Sequence, residues 1–335
     1  MTSNSDYRFY IVGTGNDYIK FMWKDAIEND NVFYLENPMS AKFPLRDLYN
    51  SIEQKLYSYK LNLYLNIPGK SYWRKYYTIN DVEFDSRYKN VIVFSDVIRL
   101  LTDKKFWSKL KDKHNLSYCL ILLNSCEHDF NADFQVVSRI IESLKMDSIF
   151  TFDQKDAEKY GLRYFPSLYS NTDVLSKKIK YDFYFVGKKK NRYKDIIDTY
   201  YALKNRGFKC LFRITDVDDT DIINEDGLIF NEYIPYEKVI EEISESYGIV
   251  DIKIPEQEGL SLRYFEAVQY NKILLTNNQS VKGMPYYDRR YIYCFDSVDE
   301  ISRMQIKEFE NIDYKYDGRY SPNRLLEMIQ ESMEN

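Results

Sequence analysis

The stretch GIVDIKIPEQEGLSLRYFEAVQYNKILLTN, Gly248 to Asn277, decides the architecture. Gly248–Ile254 is an apolar, β-branched run that reads as a strand. Pro255 closes it, and a loop with Glu258 and Gly259 follows. Leu262, Phe265 and Val268 then recur at near-helical spacing, which predicts a helix over 260–270. Lys272–Asn277 is apolar and β-like again. A strand, a helix and a strand in so short a span make a βαβ unit, whose two strands run parallel in one sheet.

The same rhythm extends both ways. In the second half, strands are expected at 181–187, 208–215, 228–234 and 291–295, and helices at 191–206, 236–246, 297–309 and 321–334. In the first half, 7–13, 31–36, 61–67, 90–96, 117–125 and 148–152 read as strands, with helices over 97–114 and 132–145. The strands are continuously apolar, as in a parallel sheet covered on both faces. PSLYSNTDVLSKKIKY (166–181) breaks the rhythm with Pro, Ser, Asn and lysines. The expected organisation is therefore α/β: two doubly wound, Rossmann-like domains, 1–175 and 176–318, facing each other across a cleft, with a closing helix in 319–335. Ligands of such sheets bind outside the carboxyl ends of the strands.

Composition narrows the function classes. The 335 residues are 44% hydrophobic and 30% charged, which is a globular balance. A net charge of −5 argues against a nucleic-acid partner held by a bulk positive field. No apolar run reaches the roughly 18 residues of a membrane span. The first residues, MTSNSDYRFYIVGTG, carry no basic region or long apolar core, so a cytoplasmic location is expected. Cys119, Cys126, Cys210 and Cys294 form no CxxC pair and stand beside only two histidines, which speaks against structural zinc and for reduced thiols. The 33 tyrosines accompany many Asn, Lys and Ile residues and read as the bias of an AT-rich genome, ahead of a carbohydrate-binding surface.

The helix after Gly259 aims backbone N–H groups and the positive end of its dipole out of the sheet, an arrangement suited to phosphate. Gly259 allows close backbone approach, Ser261 offers a hydroxyl and Arg263 a charged donor. Glu258 suits vicinal sugar hydroxyls. Glu266, one and a half turns into the helix, is placed for the ribose hydroxyls of a nucleotide. A plainer reading remains open: a capped helix with Arg263 and Glu266 as an ordinary i,i+3 pair.

PEQEGLSLRYFEAVQYNKILLTNN resembles the donor-binding signature of GT-B glycosyltransferases, with Glu258 and Glu266 as its E-x7-E pair. The resemblance implies that Glu258 contacts the donor sugar, Glu266 the ribose, and the backbone of Gly259, Leu260 and Ser261 the diphosphate. YFVGKKKNRYKDII resembles the first strand and basic loop of the nucleotide-binding half, which implicates Gly187, Lys188, Lys190 and Arg192. The loop at Tyr233 and Ile234 would border the base. TFDQKDAEKYGL…P (151–166) resembles bacterial enzymes of lipopolysaccharide and capsule assembly. Asn271 stands where the family usually has Gly, and Leu262–Arg263 where it has Pro-Val.

Other features carry less. GTGND (13–17) lacks the third glycine of a dinucleotide fingerprint, but on the GT-B reading Gly13, Asn16 and Asp17 border the acceptor; a plain turn fits as well. The D-x-D in DVDD (216–219) is better read as a solvated turn than as a metal site, and the GT-B resemblance implies helix ends and basic side chains in place of a metal, so no metal is expected. His128 is the candidate acceptor-side base, alongside His114, although polar surface explains it too. KKFWSKLKDKH (104–114) is basic and amphipathic, and offers peripheral contact with an anionic membrane or simply a solvated face. The expected activity is metal-independent transfer of a sugar, with retention, from a UDP-linked donor to a glycan or lipid-linked acceptor in bacterial surface polysaccharide synthesis. Glu258, Lys188 and Arg192 would carry catalysis. A non-catalytic nucleotide-sugar-binding relative is the alternative, and an epimerase of the same architecture a third.

Overall fold

The computed structural model describes residues 6–13, 16–36, 74–75, 77–95, 98–123, 126, 134–170, 172, 178–254, 260–306 and 312–334. The strand expected at 61–67, Glu258, Gly259 and His128 lie outside them. The chain divides into two compact units, 1–170 with 320–335, and 171–319.

The first unit holds β1 (Tyr7–Val12), β2 (Val32–Leu35), β3 (Lys89–Ser95), β4 (Ser117–Leu122), β5 (Ser148–Thr151) and β6 (Arg163–Tyr164), all parallel in the order β2-β1-β3-β4-β5-β6. Its strands bury continuous apolar runs: Val91 to Phe94 are fully enclosed, as are Tyr118 to Leu120. The order reverses at β1 and β3, so the crevice of this sheet lies beyond Val12 and Ser95.

The second unit holds β7 (Tyr181–Lys188), β8 (Cys210–Thr215), β9 (Leu228–Phe230), β10 (Ser246–Asp251), β11 (Ile273–Thr276) and β12 (Ile292–Cys294). All are parallel in the order β12-β11-β10-β7-β8-β9. This is the doubly wound arrangement, with its switch point between β7 and β10. One face of the sheet is apolar: Phe183, Phe185, Phe212, Ile214, Val250 and Ile252 pack with Ile196, Tyr200 and Ile301. Side chains alternate across a strand. Tyr184 and Arg213 therefore take the other face, toward helices Tyr236–Ser244 and Leu262–Gln269.

Several boundaries differ from expectation for local reasons. The strand expected over 228–234 stops at Phe230, because Asn231 takes a left-handed φ of 55°. Its side chain then clamps Val217, accepting from the backbone N–H at 3.0 Å and donating to the carbonyl at 2.7 Å. The helix expected over 97–114 is interrupted at Asp103, whose carboxylate receives Arg74 at 2.6 and 2.8 Å. TFDQKDAEKYGL forms a short helix, Gln154–Tyr160, capped by Asp153 and ended by Gly161 at φ 65°, which the strand reading passed over. Of the helix expected at 297–309, Val298–Ile301 is helical among the described residues. The C-terminal helix Pro322–Glu334 belongs to the first unit, where Ser321 donates to the Asp25 carboxylate at 2.6 Å and Ser170 does so at 3.1 Å.

Candidate functional site

The carboxyl ends of β7 and β10 gather Arg192, Arg263 and Glu266 of the side chains named from the sequence. Ser261 caps helix Leu262–Gln269 with extended backbone angles, its hydroxyl oxygen accepting from the Arg263 N–H at 3.1 Å. The same hydroxyl donates to Asp251 Oδ1 at 2.8 Å, while Thr276 at the end of β11 donates to Oδ2 at 3.0 Å. Asp251 is 1% exposed. Burial pushes its carboxyl pKa up, and the two hydroxyls and nearby arginines only partly offset this. Nothing in the sequence reading singled out Asp251, yet it was marked by being a carboxylate inside an apolar strand.

Arg263 leans back across the switch point and donates to the Val186 carbonyl of β7 at 3.0 Å. Its other terminal nitrogen meets both oxygens of Glu266, which is 0% exposed. Tyr236, at the start of helix Tyr236–Ser244, donates its hydroxyl to Glu266 Oε1 at 2.6 Å. Burial opposes the charge on Arg263, but Glu266 beside it more than offsets that and holds its pKa above the usual range. The pair is i,i+3, as the plainer reading had it, but it is a buried pair. The helix encloses Tyr264 through Val268 together and leaves Leu262 half-buried, so Phe265 and Val268 of the expected Leu262–Phe265–Val268 stripe are buried and Leu262 is not.

Arg192 closes the other side. It ends a short 3-10 turn after β7 and extends its guanidinium to the Ile252 carbonyl beyond β10 and, at 3.4 Å, to that of Lys188. Burial lowers its pKa; Asp251 opposes that shift and Arg263 adds to it. Its Nε is buried with no hydrogen-bond partner among the described residues. Gly187 leaves room for this arrangement, since a Cβ there would lie 3.0 Å from Arg192 Nη2. Arg263 has a carboxylate beside it, whereas the bonds of Arg192 are to carbonyls. Buried Asp251 acts on Arg192 electrostatically and not through a hydrogen bond, so the guanidinium at the mouth of β7 and β10 is suited to meet an anion.

Lys188 ends β7 beside this group but faces solvent, and the other candidates fall elsewhere. Lys188 is exposed and paired with Asp216 at 3.0 Å, and Lys189 is held by Asp218 and Asp221, so the acidic D-x-D loop is matched by lysines. Among the described residues no cluster of His, Cys, Asp or Glu could hold a metal ion. Tyr233 is 77% exposed in the loop after β9, next to half-buried Ile234. Leu260 is half-buried just before the cap. In the first unit, Gly13 ends β1 under the Tyr34 hydroxyl, which lies 2.2 Å from where a Cβ would sit. Asn16 and Asp17 are exposed at the start of helix Asp17–Met22. In the basic helix Lys104–His114, Trp107 is fully buried against Phe94 and Tyr118, so this ring is not available to a membrane. His114 packs on the Phe84 ring at 5.0 Å, and burial lowers its pKa.

No protein-family model matches the chain, and no curated protein sequence matches it. Solved structures do. An α-glucosyltransferase in complex with UDP and a 13-mer DNA containing an HMU base aligns with 98% of this chain and 99% of its own, at a TM-score of 0.52 and 10% identity. Trehalose-6-phosphate synthase (OtsA) aligns with 97% of this chain and 96% of its own, at a TM-score of 0.52 and 12% identity. At such identities the likeness is one of fold. The two parallel, Rossmann-like sheets are those of the GT-B glycosyltransferase architecture.

Proposed function

We propose that this protein is a nucleotide-sugar-dependent glycosyltransferase whose second unit holds the donor diphosphate at the mouth of β7 and β10. The observation that carries the reading is the Arg192 guanidinium laid over Gly187 at the switch point, hydrogen-bonded to backbone carbonyls and not to a carboxylate. The start of helix Leu262–Gln269 lies at the same end of the sheet and adds backbone N–H groups around Leu260 and Ser261. In the reaction, the bond from the sugar's anomeric carbon to the diphosphate oxygen breaks as an acceptor hydroxyl oxygen bonds to that carbon and loses its proton. Negative charge grows on the diphosphate, and Arg192 is placed to stabilise it. Lys188, exposed at the end of β7, would contribute on release from Asp216. Glu258 is assigned to the donor sugar by the motif resemblance, with Tyr233 and Ile234 beside the base.

UDP in the name of one structural neighbour supports a uridine donor. The resemblance of the 151–166 segment supports a glycan or lipid-linked acceptor in surface polysaccharide synthesis; the E-x7-E resemblance supports retention, and the GT-B resemblance supports transfer without a metal. Gly13, Asn16, Asp17 and His128 would serve the acceptor side.

The test is release of nucleoside diphosphate from UDP-, GDP-, dTDP- and ADP-linked sugars, with and without added saccharide. The reading expects turnover of one donor class, reduced at least about tenfold in Arg192→Gln. Nucleotide binding without any release would leave the non-catalytic relative as the better account.

A further inference from the structure

We propose that Glu266 is a positioning residue buried within the donor half, and that it does not bind the ribose. Both carboxylate oxygens are taken by Arg263, and Oε1 also accepts from Tyr236 at 2.6 Å. The residue is 0% exposed. Being fully enclosed, the carboxylate would have to part from the Arg263 guanidinium or the Tyr236 hydroxyl to meet a ligand hydroxyl outside. Separation from the buried arginine costs more than one ribose hydrogen bond returns.

The same contacts show what the carboxylate does. Arg263 reaches the Val186 carbonyl, the residue before Gly187 and the platform under Arg192. Tyr236 follows Tyr233, Ile234 and Pro235 directly, so its hydroxyl ties the loop after β9 to the same group. Tyr184, two residues before Val186 on the polar face of β7, is fully buried beside this network. One carboxylate thus fastens the capped helix, the end of β7 and the exposed Tyr233 loop. Its effect on a ligand is transmitted through the spacing of those three segments.

The ligand half of this inference rests on the nucleotide-sugar reading; the coupling half does not. UDP, 2′-deoxy-UDP and 3′-deoxy-UDP would be titrated into wild type, Glu266→Gln and Tyr236→Phe. Affinity for UDP should fall about tenfold in Glu266→Gln and less in Tyr236→Phe. The ratio of deoxy to ribo affinity should stay the same, within about twofold, in all three proteins. A ribose penalty present in wild type and lost in Glu266→Gln would overturn the proposal, as would a melting shift in the variants with UDP affinity unchanged. Absence of UDP binding to folded wild type would count against the nucleotide reading. The coupling is then judged by a denaturation cycle: the double variant should be little worse than the worse single one, and additive losses would refute the shared hub. Tyr236→Phe alone, with the same titrations, serves if Glu266→Gln does not fold.

Discussion

Gly187 and Arg192 are fitted to each other: a Cβ on residue 187 would come within 3.0 Å of the Arg192 guanidinium and 3.3 Å of the Phe185 ring. The backbone there is ordinary strand, so the glycine is needed for space and not for its dihedral freedom. Gly187→Ala should therefore keep the fold, displace the guanidinium and weaken nucleoside diphosphate binding about tenfold, as calorimetry would read. Unchanged affinity would separate Arg192 from the site.

Arg213 and Glu242 form a buried two-pronged pair, with both hydrogen bonds at 2.8 Å. Removing one partner leaves the other charged and enclosed. Arg213→Met alone should cost about 3 to 5 kcal/mol, and Arg213→Met with Glu242→Leu should recover most of that loss. Urea denaturation of the two variants checks the ordering.

Ser261 serves two neighbours at once, capping its helix and donating to buried Asp251. Ser261→Ala should cost about 1 kcal/mol for the cap and about 1 to 3 kcal/mol more for the hydrogen bond lost at Asp251. Ser261→Thr keeps the hydroxyl and should lose much less.

Lys272 donates to the Ser244 and Ser246 carbonyls at 3.1 and 2.6 Å, and burial lowers its pKa to about 8 from the usual 10.5. Between those values the folded protein holds fewer protons at this site than the unfolded chain. Stability from this group must then rise with pH across that window, by at most about 1.4 kcal/mol per pH unit, and level off above it. The stability difference between wild type and Lys272→Met should grow in favour of wild type over the same window, while a pH-independent difference would refute the shift.

The strand–helix alternation was legible because parallel strands buried on both faces leave long apolar runs in the sequence. Residues 248–277 alone set the parallel direction. Arg192 and Gly187 were legible as a basic loop after a strand. Of the network around Glu266, the i,i+3 pair with Arg263 was legible and the rest was not, because Tyr236 lies 30 residues away; the neighbouring set on Asp251 is likewise scattered, meeting Ser261 at a separation of 10 and Thr276 at 25. Periodicity reads a helix face as apolar or solvated, and a carboxylate enclosed by an arginine and a tyrosine satisfies neither. Strand ends were misjudged where a single side chain intervened, as at Asn231, whose clamp on Val217 stops β9.

The most direct measurement is calorimetric titration of wild type and Arg192→Gln with UDP, GDP, dTDP, ADP and CMP. The account predicts that one nucleotide binds wild type with a Kd on the order of micromolar, and that the folded variant binds it at least about tenfold more weakly. Wild type that is folded yet binds none of the five would contradict the donor site, and equal binding by the variant would take the diphosphate away from the mouth of β7 and β10.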